Sequence, residues 1–275
     1  MKNNTLKTIC YEISSGKIPE SFEGFRMAVI SDLHDCCIGE ENAYLLEALE
    51  AQRPDAILLA GDMITESKHD RGTVFLSHAE RLLPAMRSIA PVYYGMGNHE
   101  QRWKEIPREN PERASFEHWR ECLAAWNITL LDNVSVNFCR GQDRLRVTGL
   151  ALPNRYYNKK KVVHLSKKEI CSLVGKADTE HFQILLGHTP QFFTAYMNWG
   201  ADLALAGHYH GGVIRFPVLG GLISTNFRPF PKYDYGEFKC GTQRMIVSSG
   251  LGCHTIPIRL NNPPELVILT LRREP

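Results

Sequence analysis

Short apolar runs alternate with amphipathic stretches along the chain. Five of these runs are typical of buried strands, because each is rich in aliphatic residues and ends at a glycine or a polar turn. They cover residues 25–32, 55–62, 91–98, 182–188 and 202–208. Further strands are expected at 143–150, 243–248 and 265–271.

Apolar residues at helical spacing occupy the stretches between the strands. Leucines share one face of residues 41–53, and aromatic residues recur at helical spacing in 116–126. Ser166 and Glu169 form a capping-box pattern that predicts the start of another helix. Strands that alternate with helices, followed by a strand-rich end, predict an α/β fold in which helices lie outside one or two sheets.

No linker or low-complexity tract interrupts this pattern, so we expect one domain over residues 1–275. Two long loops, at about 152–165 and 211–236, are expected to line a site, because long loops of compact domains often carry binding residues.

Composition narrows the class of protein. The chain has 43% hydrophobic and 23% charged residues and a formal net charge of +2, so charge gives no argument for a nucleic-acid partner. Its eight cysteines include no Cys-x-x-Cys pair, which favours the reduced cytoplasm. There is no apolar signal segment near the N-terminus and no run of the ~18 apolar residues that a spanning helix needs. We therefore expect a cytoplasmic protein of undetermined oligomeric state.

The five buried strands share one chemical feature. Each runs into residues that can ligate a metal, and the strand ends of one sheet edge converge in space. The motifs are D-L-H, G-D, G-N-H-E, G-H and G-H-Y-H, with Asp32, His34, Asp62, Asn98, His99, Glu100, His188, His208 and His210 as candidate site residues. Each motif alone is also typical of a turn, a cap or a satisfied histidine. Five such coincidences, each after a strand, favour a site.

The donor types indicate the metal and the chemistry. Imidazole, carboxylate and amide groups without a thiolate suit divalent Mn, Fe or Zn. One aspartate between two ligand sets can bridge two cations, and such pairs lower the pKa of a bridging water and neutralise a phosphate. Two divalent metal ions and phosphoester hydrolysis are the prediction.

Taken together, the five motifs resemble those of the calcineurin-like metallophosphoesterase superfamily. The resemblance extends over residues 247–271, and GHYHGGVIRFP is similar to a branch of small bacterial phosphodiesterases that includes nucleotide-sugar pyrophosphatases. It implies a four-layer αββα sandwich of two mixed β-sheets flanked by helices.

The resemblance also implies roles for the site residues. One metal would be held by Asp32, His34 and His210, and the other by Asn98, His188 and His208, with Asp62 as the bridge. A hydroxide between the metals would attack the phosphorus. His99 would contact the phosphate and assist the leaving group as acid or charge stabiliser, and Glu100 would orient His99.

Substrate contacts are expected from the basic loop and its tyrosines. Residues 151–168 hold six basic residues and no acidic one. This is more typical of a solvated loop, and the alternative is a surface for an anionic or nucleotide-like substrate or for a membrane. The candidate contacts are Arg155, Tyr156, Tyr157, Lys159, Tyr209 and Arg215.

Two other functions remain open at this point. One is a pyrophosphatase acting on a nucleotide-sugar or lipid-linked substrate at a membrane surface, which would make peripheral membrane contact. The other is a non-catalytic scaffold, although the presence of every ligand argues against it. The adjacent thiols of Cys36 and Cys37 follow the D-L-H motif, where they either pack or make the centre sensitive to oxidation.

Overall fold

A computed structural model describes residues 6–67, 73–106, 111–158, 162–211, 215–216, 220–221, 232–252, 259 and 261–274. Its helices are α1 (Ala43–Gln52), α2 (Ser77–Ile89), α3 (Asn98–Lys104), α4 (Pro111–Ala125), α5 (Lys167–Val174) and α6 (Phe193–Trp199). Its strands are β1 (Lys7–Ser15), β2 (Arg26–Ile30), β3 (Ala56–Ala60), β4 (Thr65–Glu66), β5 (Val74–Phe75), β6 (Val92–Gly95), β7 (Thr129–Leu131), β8 (Ser135–Arg140), β9 (Asp143–Gly149), β10 (Gln183–His188), β11 (Leu203–Ala206), β12 (Arg215–Phe216), β13 (Gly220–Gly221), β14 (Gly236–Cys240), β15 (Gln243–Val247) and β16 (Glu265–Arg273).

Two six-stranded mixed sheets form the centre of the fold. The first has the order β1-β16-β2-β3-β6-β7, and the second has the order β14-β15-β11-β10-β9-β8. Strands β2, β3, β6 and β7 are parallel to one another, and so are β15, β11, β10 and β9. The parallel strands of each sheet therefore place their carboxyl ends, and the loops that follow them, at one edge.

Alternating side chains divide the interior into three apolar layers. In β2, Ala28 and Ile30 pack with helices α1–α4, whereas Met27 and Val29 pack between the two sheets. The second sheet also faces this central layer, and its opposite face packs against α5 and α6. This is the period-two alternation of a sheet that is buried on both faces. The predicted four-layer αββα sandwich is confirmed.

Two local contacts fix the starts of helices α5 and α2; the first was predicted from the sequence and the second was not. The capping box is present: Ser166 Oγ accepts a hydrogen bond from the Glu169 N–H at 3.2 Å, and Glu169 accepts one from the Ser166 N–H at 2.8 Å. These bonds, together with the Tyr156 hydroxyl, lower the pKa of Glu169 to about 2. The sequence does not indicate how Asp35 is used. Its carboxylate accepts the N–H groups of His78 and Ala79 at the start of α2, which ties the loop after β2 to that helix.

Among the helices of the described ranges, none has the length and apolar character needed to cross a bilayer.

Candidate metal centre

The predicted metal ligands meet where strands of the two sheets end. Asp32 and His34 follow β2, Asp62 follows β3, and Asn98 opens α3 after β6. From the second sheet, His188 ends β10, and both His208 and His210 follow β11. All seven residues are buried, with no more than 9% of their surface exposed.

Six of these seven residues adopt a left-handed backbone. Their φ angles lie between 51° and 65°, in a region that residues other than glycine rarely enter; they are Asp32, His34, Asp62, His188, His208 and His210. Such strain persists only where the surrounding structure enforces it, and it concentrates at functional sites. The strand-to-loop turns therefore aim these side chains at a common point.

The first cluster contains Asp32, His34 and His210. The Nε2 atoms of the two histidines are 3.0 Å apart, and their rings stack with centroids 4.8 Å apart. Asp32 Oδ1 lies 3.8 Å from His34 Nε2 and 3.5 Å from His210 Nε2. One ligand atom from each residue lies within 4.8 Å of the other two, which is a spacing that a metal ion can span.

The second cluster contains Asp62, His188 and His208, with ligand atoms that again lie within 4.8 Å of one another. His188 Nε2 is 3.2 Å from Asp62 Oδ2. The same carboxylate oxygen is 3.9 Å from His34 Nε2 of the first cluster. Asp62 thus stands between the two clusters, in the position required of a bridging ligand.

Backbone carbonyls fix two of the histidine rings. His188 Nδ1 lies 2.7 Å from the Ala60 carbonyl oxygen, and His210 Nδ1 lies 3.2 Å from that of Gly252. Because a carbonyl only accepts, each Nδ1 carries the proton and donates it. The Nε2 atoms therefore face the carboxylates, and once Nε2 has lost its proton its lone pair points where a metal-ligating histidine needs it.

Asn98 provides a test of whether a cation fits. In its present orientation the side-chain oxygen faces only acceptors, at the position 2.7 Å from His208 Nδ1 and 3.3 Å from Asp62 Oδ2. Swapping the amide oxygen and nitrogen would satisfy the group without a metal, since the nitrogen would then donate to His208 and Asp62. A cation would require the oxygen at the cluster, but the amide nitrogen would then face two other donors, Arg102 Nη1 at 2.9 Å and the His99 N–H at 3.3 Å, so the fit of a cation rests on the carboxylates and imidazoles.

Electrostatics in the centre are dominated by burial and by Asp62. Burial alone would lower the pKa of His188, but the adjacent Asp62 carboxylate raises it to about 9 in the metal-free protein. Burial would likewise raise the pKa of Asp62, yet His188, His99 and His34 hold it well below its ordinary value. Burial lowers the pKa of His210. An anionic bridge surrounded by imidazoles suits a divalent cation.

Two glycines allow the loops to approach the carboxylates. A Cβ atom built on Gly97 would overlap Asp62 Oδ1, and one built on Gly207 would overlap Asp32 Oδ2. No larger residue fits at either position without moving a carboxylate. The glycines of the G-N-H-E and G-H-Y-H motifs are therefore explained by close packing.

Glu100 has a different task from the one predicted. Its carboxylate does not orient His99; it accepts hydrogen bonds from the N–H groups of Asp62, Met63 and Gly97 and from the Tyr94 hydroxyl, at 2.6–3.0 Å. Burial, followed by the nearby Asp62 charge, raises the pKa of this carboxyl. Glu100 thus shapes the loop that carries Asp62.

His99 lies beside the two clusters. Its backbone N–H donates to Asp62 Oδ1 at 2.8 Å, and its ring meets that of His34 edge-on at 4.8 Å. Together with His34 and Asp62 it forms a third group whose ligand atoms lie within 4.8 Å. The ring is therefore within reach of anything bound between the metal-ligand clusters.

Two residues behind His99 were missed by the sequence analysis. The Glu66 N–H and Arg102 Nη2 both contact His99 Nδ1, at 2.9 and 2.7 Å. Arg102 follows His99 by three residues on α3, a spacing that places both side chains on one helix face. That spacing is the signal from which Arg102 could have been found. Nothing local in the sequence indicates Glu66.

The side chains of the predicted substrate contacts lie in different places, and only some of them face the metal-ligand clusters. Tyr156 is wrong as a contact, because it is buried in the apolar layer beside α5 and α6 and its hydroxyl donates to Glu169 at 2.6 Å. Arg155 stacks on that ring rather than on the histidines. Its neighbour Tyr157 instead faces the second cluster, with its ring centroid 5.4 Å from that of His208 and 6.1 Å from that of His188. A short turn over Asn154–Tyr157 points the adjacent tyrosines in opposite directions.

The remaining predicted contacts are less completely described. Tyr209 is buried, with its ring centroid 5.5 Å from that of His208. Arg215 is described only as backbone of β12, and Lys159 lies outside the described residues.

The two adjacent cysteines after the D-L-H motif are both free thiols, Cys36 half-buried and Cys37 exposed.

The chain is similar in sequence to a known protein family and to several of its members. A sequence model of the family described as calcineurin-like phosphoesterase matches residues 25–212. The uncharacterized metallophosphoesterase YkuE of Bacillus subtilis (strain 168) is 24% identical over 280 residues, which cover 99% of this chain and 87% of the relative. The phosphodiesterase YaeI of Escherichia coli (strain K12) is 27% identical over 223 residues, which cover 80% of this chain and 71% of the relative.

The similarity also includes a longer protein of an animal. A transmembrane protein with a metallophosphoesterase domain from Danio rerio is 25% identical over 283 residues, which cover 97% of this chain. This chain spans 57% of the length of that relative.

Proposed function

The chain belongs to the calcineurin-like phosphoesterase family of metal-dependent phosphoester hydrolases, and on that premise we propose that it is a phosphodiesterase with a dinuclear metal centre. The observation that carries the proposal is the pair of buried clusters joined by Asp62. The similarity to YaeI, which is named a phosphodiesterase, supports a diester as substrate.

The ligands divide between two cations. Asp32, His34 and His210 would hold one, Asn98, His188 and His208 would hold the other, and Asp62 would serve both. Nitrogen and oxygen donors without a thiolate suit Mn, Fe or Zn. Two bound cations at such a site supply an activated water and neutralise charge on the phosphate.

His99 acts on the substrate in this proposal. Its ring lies beside His34 and Asp62, and its Nδ1 accepts from the Glu66 N–H and Arg102 Nη2. The other ring nitrogen donates a hydrogen bond to a phosphate oxygen or to the leaving oxygen, where negative charge grows as the ester bond breaks. Glu100 contributes indirectly, since it shapes the loop that presents Asp62.

A substrate panel tests the proposal. Protein supplied with Mn, Fe(II) or Zn is expected to hydrolyse bis(p-nitrophenyl) phosphate faster than p-nitrophenyl phosphate, and a chelator is expected to abolish both activities. Faster cleavage of a UDP-sugar than of either aryl ester would make the protein a pyrophosphatase, the alternative left open by the sequence. If no ester is turned over with any of the three metals, the proposal that the protein is a phosphoesterase is refuted. Cytoplasmic location and membrane contact stay predictions of the sequence.

Tyr157 is proposed as a substrate contact in place of Tyr156. Its hydroxyl is buried and has no hydrogen-bond partner among the described residues, and burial raises its pKa well above the ordinary value, so it stays a donor. An oxygen of the bound phosphate would satisfy it. The Y157F variant is expected to lower kcat/KM about 10- to 100-fold, the equivalent of a hydrogen bond to a charged group.

The adjacent tyrosine is a matched control for this measurement. Y156F removes the hydrogen bond to Glu169 and is expected to lower the free energy of unfolding by about 1 kcal/mol while preserving kcat/KM. Y157F removes an unsatisfied hydroxyl and is expected to preserve or raise the free energy of unfolding. Equal kcat/KM values for Y157F and the wild type would show that Tyr157 makes no substrate contact.

A further inference from the structure

Arg102 and Glu66 form an ion pair beside His99, in which Glu66 is buried and Arg102 is half-buried. Arg102 Nε donates to Glu66 Oε2 at 2.7 Å, and only 3% of Glu66 is exposed. A carboxylate buried to this degree is stable as an anion only with a close partner. The pairing therefore holds the guanidinium in one orientation, with its Nη2 turned toward the ring of His99.

The contacts at His99 Nδ1 determine which ring nitrogen carries the proton. Nδ1 lies 2.7 Å from Arg102 Nη2 and 2.9 Å from the Glu66 backbone nitrogen. A guanidinium and a backbone N–H can only donate, so Nδ1 must accept from both. The proton of the imidazole then sits on Nε2, because a neutral ring with an accepting Nδ1 has no other tautomer.

We infer that Arg102, oriented by Glu66, is a positioning residue that fixes His99 as an Nε2–H donor to the substrate. This inference rests on the proposed function and narrows the role of His99 to charge stabilisation by hydrogen bonding. The geometry also explains the choice of arginine. A planar guanidinium contacts Glu66 and His99 together, which the single ammonium of lysine does not reproduce.

Kinetics with two leaving groups test the inference. R102Q is expected to lower kcat about 10-fold with KM within about 3-fold, because the Glu66 N–H still contacts Nδ1 and some of the orientation survives. The loss is expected to be larger for a diester of phenol than for one of p-nitrophenol, since the poorer leaving oxygen carries more charge. R102K is expected to recover only part of the rate.

A neighbouring ion pair of the same helix is the control. Lys104, two residues after Arg102 on α3, pairs through its Nζ with Asp132 Oδ2 at 2.6 Å. K104Q is expected to lower stability without changing kcat or the leaving-group dependence. If K104Q and R102Q reduce kcat equally, the effect of Arg102 is structural and the inference is overturned. Equal metal content in both variants shows that the centre itself is intact.

Nitrogen NMR of the metal-free protein gives a readout that does not depend on activity. The His99 signals, identified by their absence in H99Q, are expected to show a protonated Nε2 and an unprotonated Nδ1, and R102Q is expected to shift the ring toward a mixture. A proton on Nδ1 in the wild type would overturn the inference whatever the assays show. If the wild-type protein cleaves no ester, the proposed function fails, but the NMR measurement still decides the tautomer of His99 independently.

Discussion

Replacing Asp62 with asparagine is expected to lower kcat/KM about 1,000-fold or more and to reduce the number of bound metal ions. Asp62 Oδ2 lies 3.2 Å from His188 Nε2 and 3.9 Å from His34 Nε2, so the proposed account has one carboxylate serving both metals. Asparagine keeps the oxygen that accepts the His99 N–H but removes the charge that attracts the cations. Stabilisation of transition-state charge by bound metal ions is worth several kcal/mol, and about 1.4 kcal/mol corresponds to a tenfold change in rate.

The matched control is another aspartate of the same region. Asp35 lies three residues after Asp32, but its carboxylate accepts the N–H groups of His78 and Ala79 at the start of α2. D35N is expected to affect stability and to leave metal content and kcat/KM near the wild-type values. Elemental analysis and steady-state kinetics on both variants make the comparison. A D62N protein that retains a tenth of the wild-type kcat/KM would contradict a bridging role.

The second large effect is expected from His99. H99Q should lower kcat about 100- to 1,000-fold, the cost of losing a donor aimed at developing charge. Metal content should be unchanged, because His99 is proposed to contact the substrate rather than a cation. This distinction matters, since His99 also forms a group of possible ligands with His34 and Asp62.

A surface histidine provides the control for H99Q. His181 pairs with Asp178 at 2.9 Å and receives Arg144 Nε at 3.1 Å, just before β10 begins, whereas His188 of the centre ends that strand. H181Q is expected to be as active as the wild type. Loss of one metal ion in H99Q would make His99 a ligand, and an unchanged kcat would remove it from the reaction.

The sequence predicts where the candidate ligands lie because each motif stands at or just after the end of a strand. The apolar run that ends at Ile30 fixes a buried parallel strand, and Asp32 then has to lie at the sheet edge where Asp62 also emerges. Period-two alternation likewise predicts the layers, because both faces of the sheets are covered. What the pattern cannot supply is the left-handed backbone at six of the ligands, which the converging loops impose.

The wrong expectations concern side chains whose direction depends on tertiary contacts. Glu100 follows His99 in the chain, yet helix α3 turns its carboxylate toward the loop after β3. The sequence alone does not distinguish Tyr156 from Tyr157, but the short turn that contains them points Tyr156 into the core and Tyr157 toward His208. Glu66 joins the centre through β4, a two-residue strand that no periodicity reveals.

The central claim is that two cations share Asp62 in one buried centre. It is tested most directly by anomalous X-ray scattering from crystals of the manganese-loaded protein, measured at the manganese absorption edge. The account predicts two peaks about 3.5–4 Å apart, one beside Asp32, His34 and His210 and the other beside Asn98, His188 and His208, with Asp62 between them. A single peak at full manganese occupancy, or peaks elsewhere in the molecule, would contradict it.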